Sequence, residues 1–79
     1  MVFCYLLSVK DNIALYALGG IPDDLTGRLM IDSGNGSFLI LKAPENSTVY
    51  DTHIRSMLSK YRTSIEKGDF KQKMAYQIG

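Results

Sequence analysis

The chain has 79 residues, of which 46% are hydrophobic and 22% charged, and its formal net charge at pH 7 is +1. A chain of this length forms one hydrophobic core, so we expect a single domain over residues 1–79. The small net charge argues against a general polyanion binder, which needs a concentrated basic excess. Cys4 is the only cysteine and His53 the only histidine, which excludes an intrachain disulfide and a structural zinc site.

The first apolar run, from Met1 to Leu7, has no basic leader and is followed within a few residues by Lys10 and Asp11. It is too short for a signal sequence or a membrane span. We therefore expect a cytoplasmic protein without a membrane association.

Four strands are predicted in the first half of the chain. Residues 2–9 and 13–18 are apolar runs typical of strands, and Asp11 and Asn12 between them tolerate the left-handed conformation of a hairpin turn. Residues 28–31 and 38–42 form a second predicted hairpin around a Ser-Gly-Asn-Gly turn. With either two-residue turn, one face holds Leu29, Ile31, Phe38 and Ile40, and the other holds Met30, Leu39 and Leu41.

An amphipathic helix and a last strand are predicted in the second half. Asn46, Ser47 and Thr48 are suited to cap a helix, and Thr48 with Asp51 has the spacing of a capping box. Apolar residues then recur at helical spacing, namely Val49, His53, Ile54, Met57, Leu58, Tyr61 and Ile65. Gly68 predicts the end of the helix. Residues 70–78 return to a period of two, with Met74, Tyr76 and Ile78 on one face, and the pattern leaves open whether this strand pairs parallel or antiparallel.

The predicted element order is ββββαβ, an α+β fold with an antiparallel-rich sheet and one amphipathic helix packed on one face. One helix covers one face, yet the first four strands are apolar on both faces. Something must cover the second face, because exposed apolar area costs roughly 25 cal/mol per Å². We expect a homodimer through Met30, Leu39 and Leu41. A sheet curled into a small barrel is the competing explanation.

No catalytic, metal-binding or cofactor-binding residues are predicted. His53 lies on the apolar stripe of the helix and Cys4 in an apolar strand, so both are expected to be structural. The segment 32–36 has the start of a calcium-loop pattern but lacks its later acidic ligands. Gly19 and Gly20 precede no phosphate-binding pattern. We therefore expect a protein that is not an enzyme and has no cofactor.

The remaining hypotheses concern binding. The first is a small non-enzymatic protein-binding or self-associating module, of the scale of inhibitor and immunity proteins. Its candidate partner-contacting residues are Arg55, Lys60, Arg62 and Lys67 on the helix and Asp23 and Asp24 in a loop. Nucleic-acid binding through the basic helix face is an alternative that the net charge disfavours without excluding it. Small-ligand binding in a dimer cleft lined by tyrosines and methionines is the third hypothesis.

Overall fold

The computed structural model describes residues 1–77, in which five strands form one antiparallel sheet with the order β4-β3-β2-β1-β5. The strands are β1 (Val2–Lys10), β2 (Ile13–Gly19), β3 (Gly27–Asp32), β4 (Ser37–Lys42) and β5 (Lys73–Tyr76), and the helices are α1 (Asp51–Lys60) and α2 (Arg62–Glu66). The α+β fold and the order ββββαβ are confirmed. β5 pairs antiparallel with β1 at one edge and β4 lies at the other, so these strands form an open sheet and not a barrel.

The first hairpin has the predicted two-residue turn. Asp11 and Asn12 both have positive φ, at 52° and 65°, and Lys10 pairs with Ile13 on either side of them. This backbone geometry matches the right-handed twist of the flanking strands. In β1 the register against β2 shifts at Leu7, which bends the strand near its end.

The second hairpin has a four-residue loop, longer than the predicted two-residue turn. Gly36, with φ of 70°, donates its N–H to the Asp32 carbonyl oxygen at 2.9 Å. The predicted faces are nevertheless confirmed, because Leu29 pairs with Ile40 and the burial of β3 alternates along the strand. The last predicted strand is shorter than expected, and Ile78 lies outside the described residues.

The core lies between the sheet and α1. Its buried residues are Val2, Cys4, Ala14, Tyr16, Leu18, Leu29, Ile31, Ile54, Met57, Ile65 and Met74. Tyr16 is completely buried, and its hydroxyl donates a hydrogen bond of 2.7 Å to the Lys71 carbonyl oxygen, just before β5. Burial raises the pKa of Tyr16 to about 12. This bond satisfies a polar group that would otherwise be costly in the core.

The predicted helix is divided, and it begins later than expected. Its N-cap is Tyr50, whose side chain makes no capping hydrogen bond, so the predicted Thr48 and Asp51 capping box is wrong. Tyr61 departs from helical geometry and separates α1 from α2. Gly68, with φ of 74°, follows α2 and donates its N–H to the Ile65 carbonyl oxygen, as expected of a glycine helix stop.

Asp24 joins the β2–β3 loop to the segment between β4 and α1. Its side chain is 2% exposed and accepts hydrogen bonds from the Ser47 hydroxyl at 2.6 Å, the Thr26 hydroxyl at 2.6 Å and the Asn46 N–H at 2.9 Å. The hydrogen bond from Ser47, followed by that from Thr26, lowers the pKa of Asp24 below its usual range. A Cβ at Gly19 would overlap the Asp24 carbonyl oxygen, so the loop can approach β2 only over a glycine.

Asp24→Asn is expected to lower the thermal midpoint at neutral pH by at least about 5 °C, because the new amide N–H₂ faces donors that need an acceptor. In the wild type, the Asp24 carboxylate stabilises the fold fully when the pH is above the pKa that Asp24 has in the unfolded chain. This stabilisation is lost as the pH falls through the lower pKa that Asp24 has in the folded protein. The difference between the two proteins should therefore shrink at about pH 3. Thermal unfolding followed by circular dichroism measures both effects. Asp23→Asn, at an exposed neighbour, is the control, and equal midpoints for all three proteins would contradict the role of Asp24.

Candidate functional site

The helices leave one end of the sheet, at β4, only partly covered. α1 lies closest to β1 and β5. The helix-side residues of β2 and β3, among them Tyr16, Leu29 and Ile31, are also buried, in one core with Ile65 of α2. The helix side of β4 differs, because Phe38 and Ile40 are only half-buried there.

A groove of about 960 Å³ lies beside the helices along β4. We call it the β4 groove, and its apolar lining residues are Ile31, Phe38, Leu39, Ile40, Leu58 and Ile65. The loop of residues 34–36 closes one end. Ile31 and Ile65 are buried, whereas Phe38, Ile40 and Leu58 are half-buried and present apolar surface to the groove.

Charged side chains of α1 and α2 also line the β4 groove. The guanidinium carbon of Arg55 lies 5.5 Å from the centroid of the Phe38 ring, a cation–π arrangement. Arg62 donates from Nε to the Glu66 carboxylate at 2.8 Å, and this contact raises the pKa of Arg62. Within residues 1–77, Arg55 forms no ion pair. Asp51, in the first turn of α1, lies where the helix dipole favours a negative charge. Asp51 precedes Arg55 by one helical turn on the same side of α1, but the two form no ion pair within residues 1–77, so Arg55 is the cation in this lining that no salt bridge holds.

β4 is an edge strand whose central residues carry no charge. It pairs with β3 on one side, so the N–H and C=O groups directed away from β3 have no strand partner within residues 1–77. Proteins usually protect such an edge with a charge, a proline or a covering loop. Residues 38–41 are Phe-Leu-Ile-Leu. The register against β3 shifts at Leu41, which leaves Ser37 to Ile40 as the regular part of the edge.

The sheet face opposite the helices, which we call the open face, is also apolar. Met30 pairs with Leu15 on one side and Leu39 on the other, and these three residues form an apolar row across three strands. Leu39 and Leu41 are each 53% exposed, and Met30 is half-buried. The predicted self-association residues are therefore placed on the surface, on a side that no described helix covers.

The β2–β3 loop covers one end of the open face. Arg28 donates hydrogen bonds to the carbonyl oxygens of Leu25, at 3.1 Å, and Gly27, at 2.7 Å, and so holds the loop near the sheet. A smaller cavity of about 310 Å³ lies here, lined in part by Tyr5, Leu25 and Lys73. The ammonium group of Lys73 lies 5.9 Å from the Tyr5 ring centroid. This cavity is formed within one chain, unlike the dimer cleft that the ligand-binding hypothesis requires.

The four basic residues predicted to form one helix face are separated in space. Arg55 lies over Phe38 on β4, whereas Lys60 reaches the Ala75 carbonyl oxygen on β5 at 3.4 Å, on the other side of α1. Lys67 is exposed beyond the end of α2. The nucleic-acid hypothesis therefore loses the continuous basic surface on which it depends.

The acidic loop also differs from the prediction. Asp23 is exposed, but Asp24 is buried and all its hydrogen bonds are made within the chain. The prediction that Asp24 contacts a partner is therefore wrong. Adjacent carboxylates in a polar loop gave no sequence signal that one of them would fold inward onto two hydroxyl groups.

His53 and Cys4 are placed as predicted. His53 is half-buried and meets the Tyr50 ring edge to face, with the ring centroids 5.2 Å apart. Cys4 is 4% exposed, and burial raises the pKa of its thiol to about 12. Residues 1–77 contain no group of three or more His, Cys, Asp or Glu side chains arranged to hold a metal ion. Over the same residues, no helix has the length and apolar character needed to cross a membrane.

Comparisons with known proteins identify no relative. No family model matches the chain, and no curated protein or solved structure is significantly similar to it. Function is therefore inferred from the surfaces of this chain.

Sequence reasoning missed the β4 groove and the free charge of Arg55. The predicted element order shows that one short helix must cover a five-stranded sheet, so some strand should stay partly uncovered. The order does not say which strand this is. The separation of Arg55 from Lys60 could be expected from their spacing, because five residues turn a helix by about 500°, or 140° around its axis.

Cys4 is expected to be unreactive in the folded protein. Its thiol should react with 5,5′-dithiobis(2-nitrobenzoate) at least about a hundredfold more slowly than in denaturant, because reaction requires opening of the core. A Cys4→Ala, Val9→Cys double variant places a thiol at an exposed position of the same strand, on the helix side of the sheet, and should react rapidly. Equal rates for the two thiols in the folded state would contradict the burial of Cys4.

Proposed function

We propose that the domain is a non-enzymatic protein-interaction module that forms a homodimer through its open face. The observation that carries this proposal is the apolar row of Leu15, Met30 and Leu39, in which Leu15 and Met30 are half-buried and Leu39, like the neighbouring Leu41, is exposed. Contiguous exposed apolar surface of this kind marks interaction sites in soluble proteins. The unpaired thiol of Cys4 suits a reducing compartment, and the proposal places the domain in the cytoplasm.

The size of the face suits a weak dimer. The β2–β3 loop covers the face beside β1 and β5, so about four strands spaced about 4.8 Å apart and about six residues long give a free face of roughly 19 by 20 Å. Two such faces in contact bury on the order of 800 Å², the range of weak complexes. Stacked sheets pack about 10 Å apart with interdigitated side chains, and leucine and methionine are suited to such packing.

One pair of charges beside the apolar row is compatible with a second copy of this chain as the partner. Arg28 and Asp32 lie on β3 on either side of Met30, two residues away in each direction. A two-fold axis that stacks Met30 on the same residue of the partner, with the β3 strands antiparallel, brings Arg28 of each protomer towards Asp32 of the other. The apolar row around Met30 is thus self-complementary, whereas Lys10, Lys42 and Lys73, which the register places on the same face, lie at strand ends and are exposed.

Leu39→Lys and Leu41→Lys are each expected to convert a dimer into a folded monomer, because the new charge would be buried against an apolar surface. Light scattering over a dilution series measures the mass, and circular dichroism verifies the fold.

Val9→Lys is the matched control for these variants. Val9 is 49% exposed on a strand but pairs with the buried Ala14, so it lies on the helix side of the sheet. This variant should remain a dimer. A wild-type protein that is monomeric throughout the dilution series would overturn the proposal, as would a Leu39→Lys protein that remains dimeric.

A further inference from the structure

We infer that the free edge of β4 and the adjoining β4 groove bind an extended segment of another protein, one that alternates apolar side chains and directs a carboxylate at Arg55. This is a second interaction surface on the side of β4 opposite the open face. It does not depend on the proposed self-association. Three features of the structure support it independently.

The first feature is the backbone of the edge. Ser37 to Ile40 form a regular edge without charge or proline. The Ser37 N–H is already donated to the Asn35 side chain at 3.0 Å, so a strand can be added by main-chain hydrogen bonds from Phe38 onward. The register shift at Leu41 ends the regular pairing geometry. The added segment should therefore pair over about three residues, with further residues free at either end.

The second feature is the apolar groove beside this edge. Alternate side chains of an added strand point to the helix side of the sheet, where Phe38, Ile40 and Leu58 present half-buried apolar surface. The groove volume of about 960 Å³ accommodates several side chains of valine or isoleucine size. The other side chains of the segment continue the row of Leu39 on the open face. Apolar positions on the helix side thus give the segment its affinity.

The third feature is the guanidinium group of Arg55. It lies over the Phe38 ring, directly above the edge strand, and forms no ion pair within residues 1–77. A guanidinium over an aromatic ring still has its N–H groups free to donate, and two of them match the two oxygens of a carboxylate. Arg62, by contrast, is already engaged by Glu66. The position that lies opposite Phe38 in the added strand should therefore be acidic.

A second copy of this chain fits the edge poorly. β4 contains no acidic residue, and the Glu45 carboxylate that follows it is held by Lys42 at 3.1 Å. Two β4 strands paired antiparallel about a two-fold axis would leave Arg55 of each protomer without a carboxylate from the other strand. The charge of the groove thus favours a different protein with an acidic and apolar segment.

The test is a selection of random eight-residue displayed peptides on the immobilised wild-type domain. In enriched peptides, β-branched or aromatic residues should recur at every second position. One of the positions on that face should hold an aspartate or glutamate. Representative peptides are then synthesised with a fluorescein label, and their dissociation constants are measured by fluorescence anisotropy. Replacement of the acidic residue by its amide should weaken binding about tenfold. Methylation of alternate backbone nitrogens on the edge that pairs with β4 should abolish binding.

Arg55→Gln and Lys60→Gln form the matched pair of domain variants. Both remove one exposed positive charge from α1, but Lys60 lies on the β5 side of the helix. Arg55→Gln should bind the acidic peptide about tenfold more weakly and no longer distinguish it from the amide version. Lys60→Gln should behave as the wild type. Circular dichroism and light scattering on the same samples report folding and self-association separately.

Several outcomes would overturn the inference. They are the absence of any enriched peptide, enriched peptides without an acidic residue, equal binding by wild-type and Arg55→Gln domains, or binding that survives backbone methylation. A domain that binds the acidic peptide but remains monomeric would support this inference and refute the proposed dimer. A dimer that binds no peptide would do the reverse.

Discussion

The width of one helix relative to a five-stranded sheet governs the rest of this structure. α1 has ten residues and packs on β1 and β5, where Ile54 and Met57 complete a core that also contains Tyr16 and Met74. A helix about 10 Å wide covers roughly two strands spaced about 4.8 Å apart, and with α2 the buried helix side extends to β3, where Leu29 and Ile31 are buried. The helix side of β4 is left as a groove, and the opposite face of the sheet has no helix within residues 1–77. The described residues form no further helix or strand with which to cover them.

The Asp24 network determines which strands the helix covers. Hydrogen bonds from Ser47 and Asn46 to the Asp24 carboxylate tie the chain after β4 to the loop between β2 and β3. Ser47 also accepts a hydrogen bond from the Gly20 N–H at 2.9 Å. With this segment held at that end of the sheet, α1 begins only at Asp51 and runs across to β1 and β5. Because the Ser47 hydroxyl bonds to Asp24 and to the Gly20 N–H, it does not cap α1. This accounts for the late start of the helix at Asp51 and for its path.

Local sequence patterns predicted the elements well because turns and periodicity are local properties. Asp11 and Asn12 marked a turn that requires positive φ, and the alternation of Leu29 and Ile31 with Met30 assigned both faces of β3. Contacts between distant segments were not predicted. The burial of Asp24, the antiparallel pairing of β5 with β1 and the placement of Arg55 over Phe38 each join residues far apart in the chain. The composition of each segment alone is equally consistent with other partners.

The composition of β4 is the feature that the two proposed surfaces explain together. An edge strand with one wet face should alternate apolar and polar residues, yet residues 38–41 are apolar throughout. Phe38 and Ile40 face the groove, whereas Leu39 lies in the row of the open face. A dimer through the open face alone accounts for Leu39 but leaves the partly exposed groove side of Phe38 and Ile40 unexplained. An added strand alone accounts for those two residues but not for the Leu15 and Met30 row. Because the occupants approach β4 from different directions, both can be present together, and only that arrangement removes from water the apolar surface on both sides of the strand.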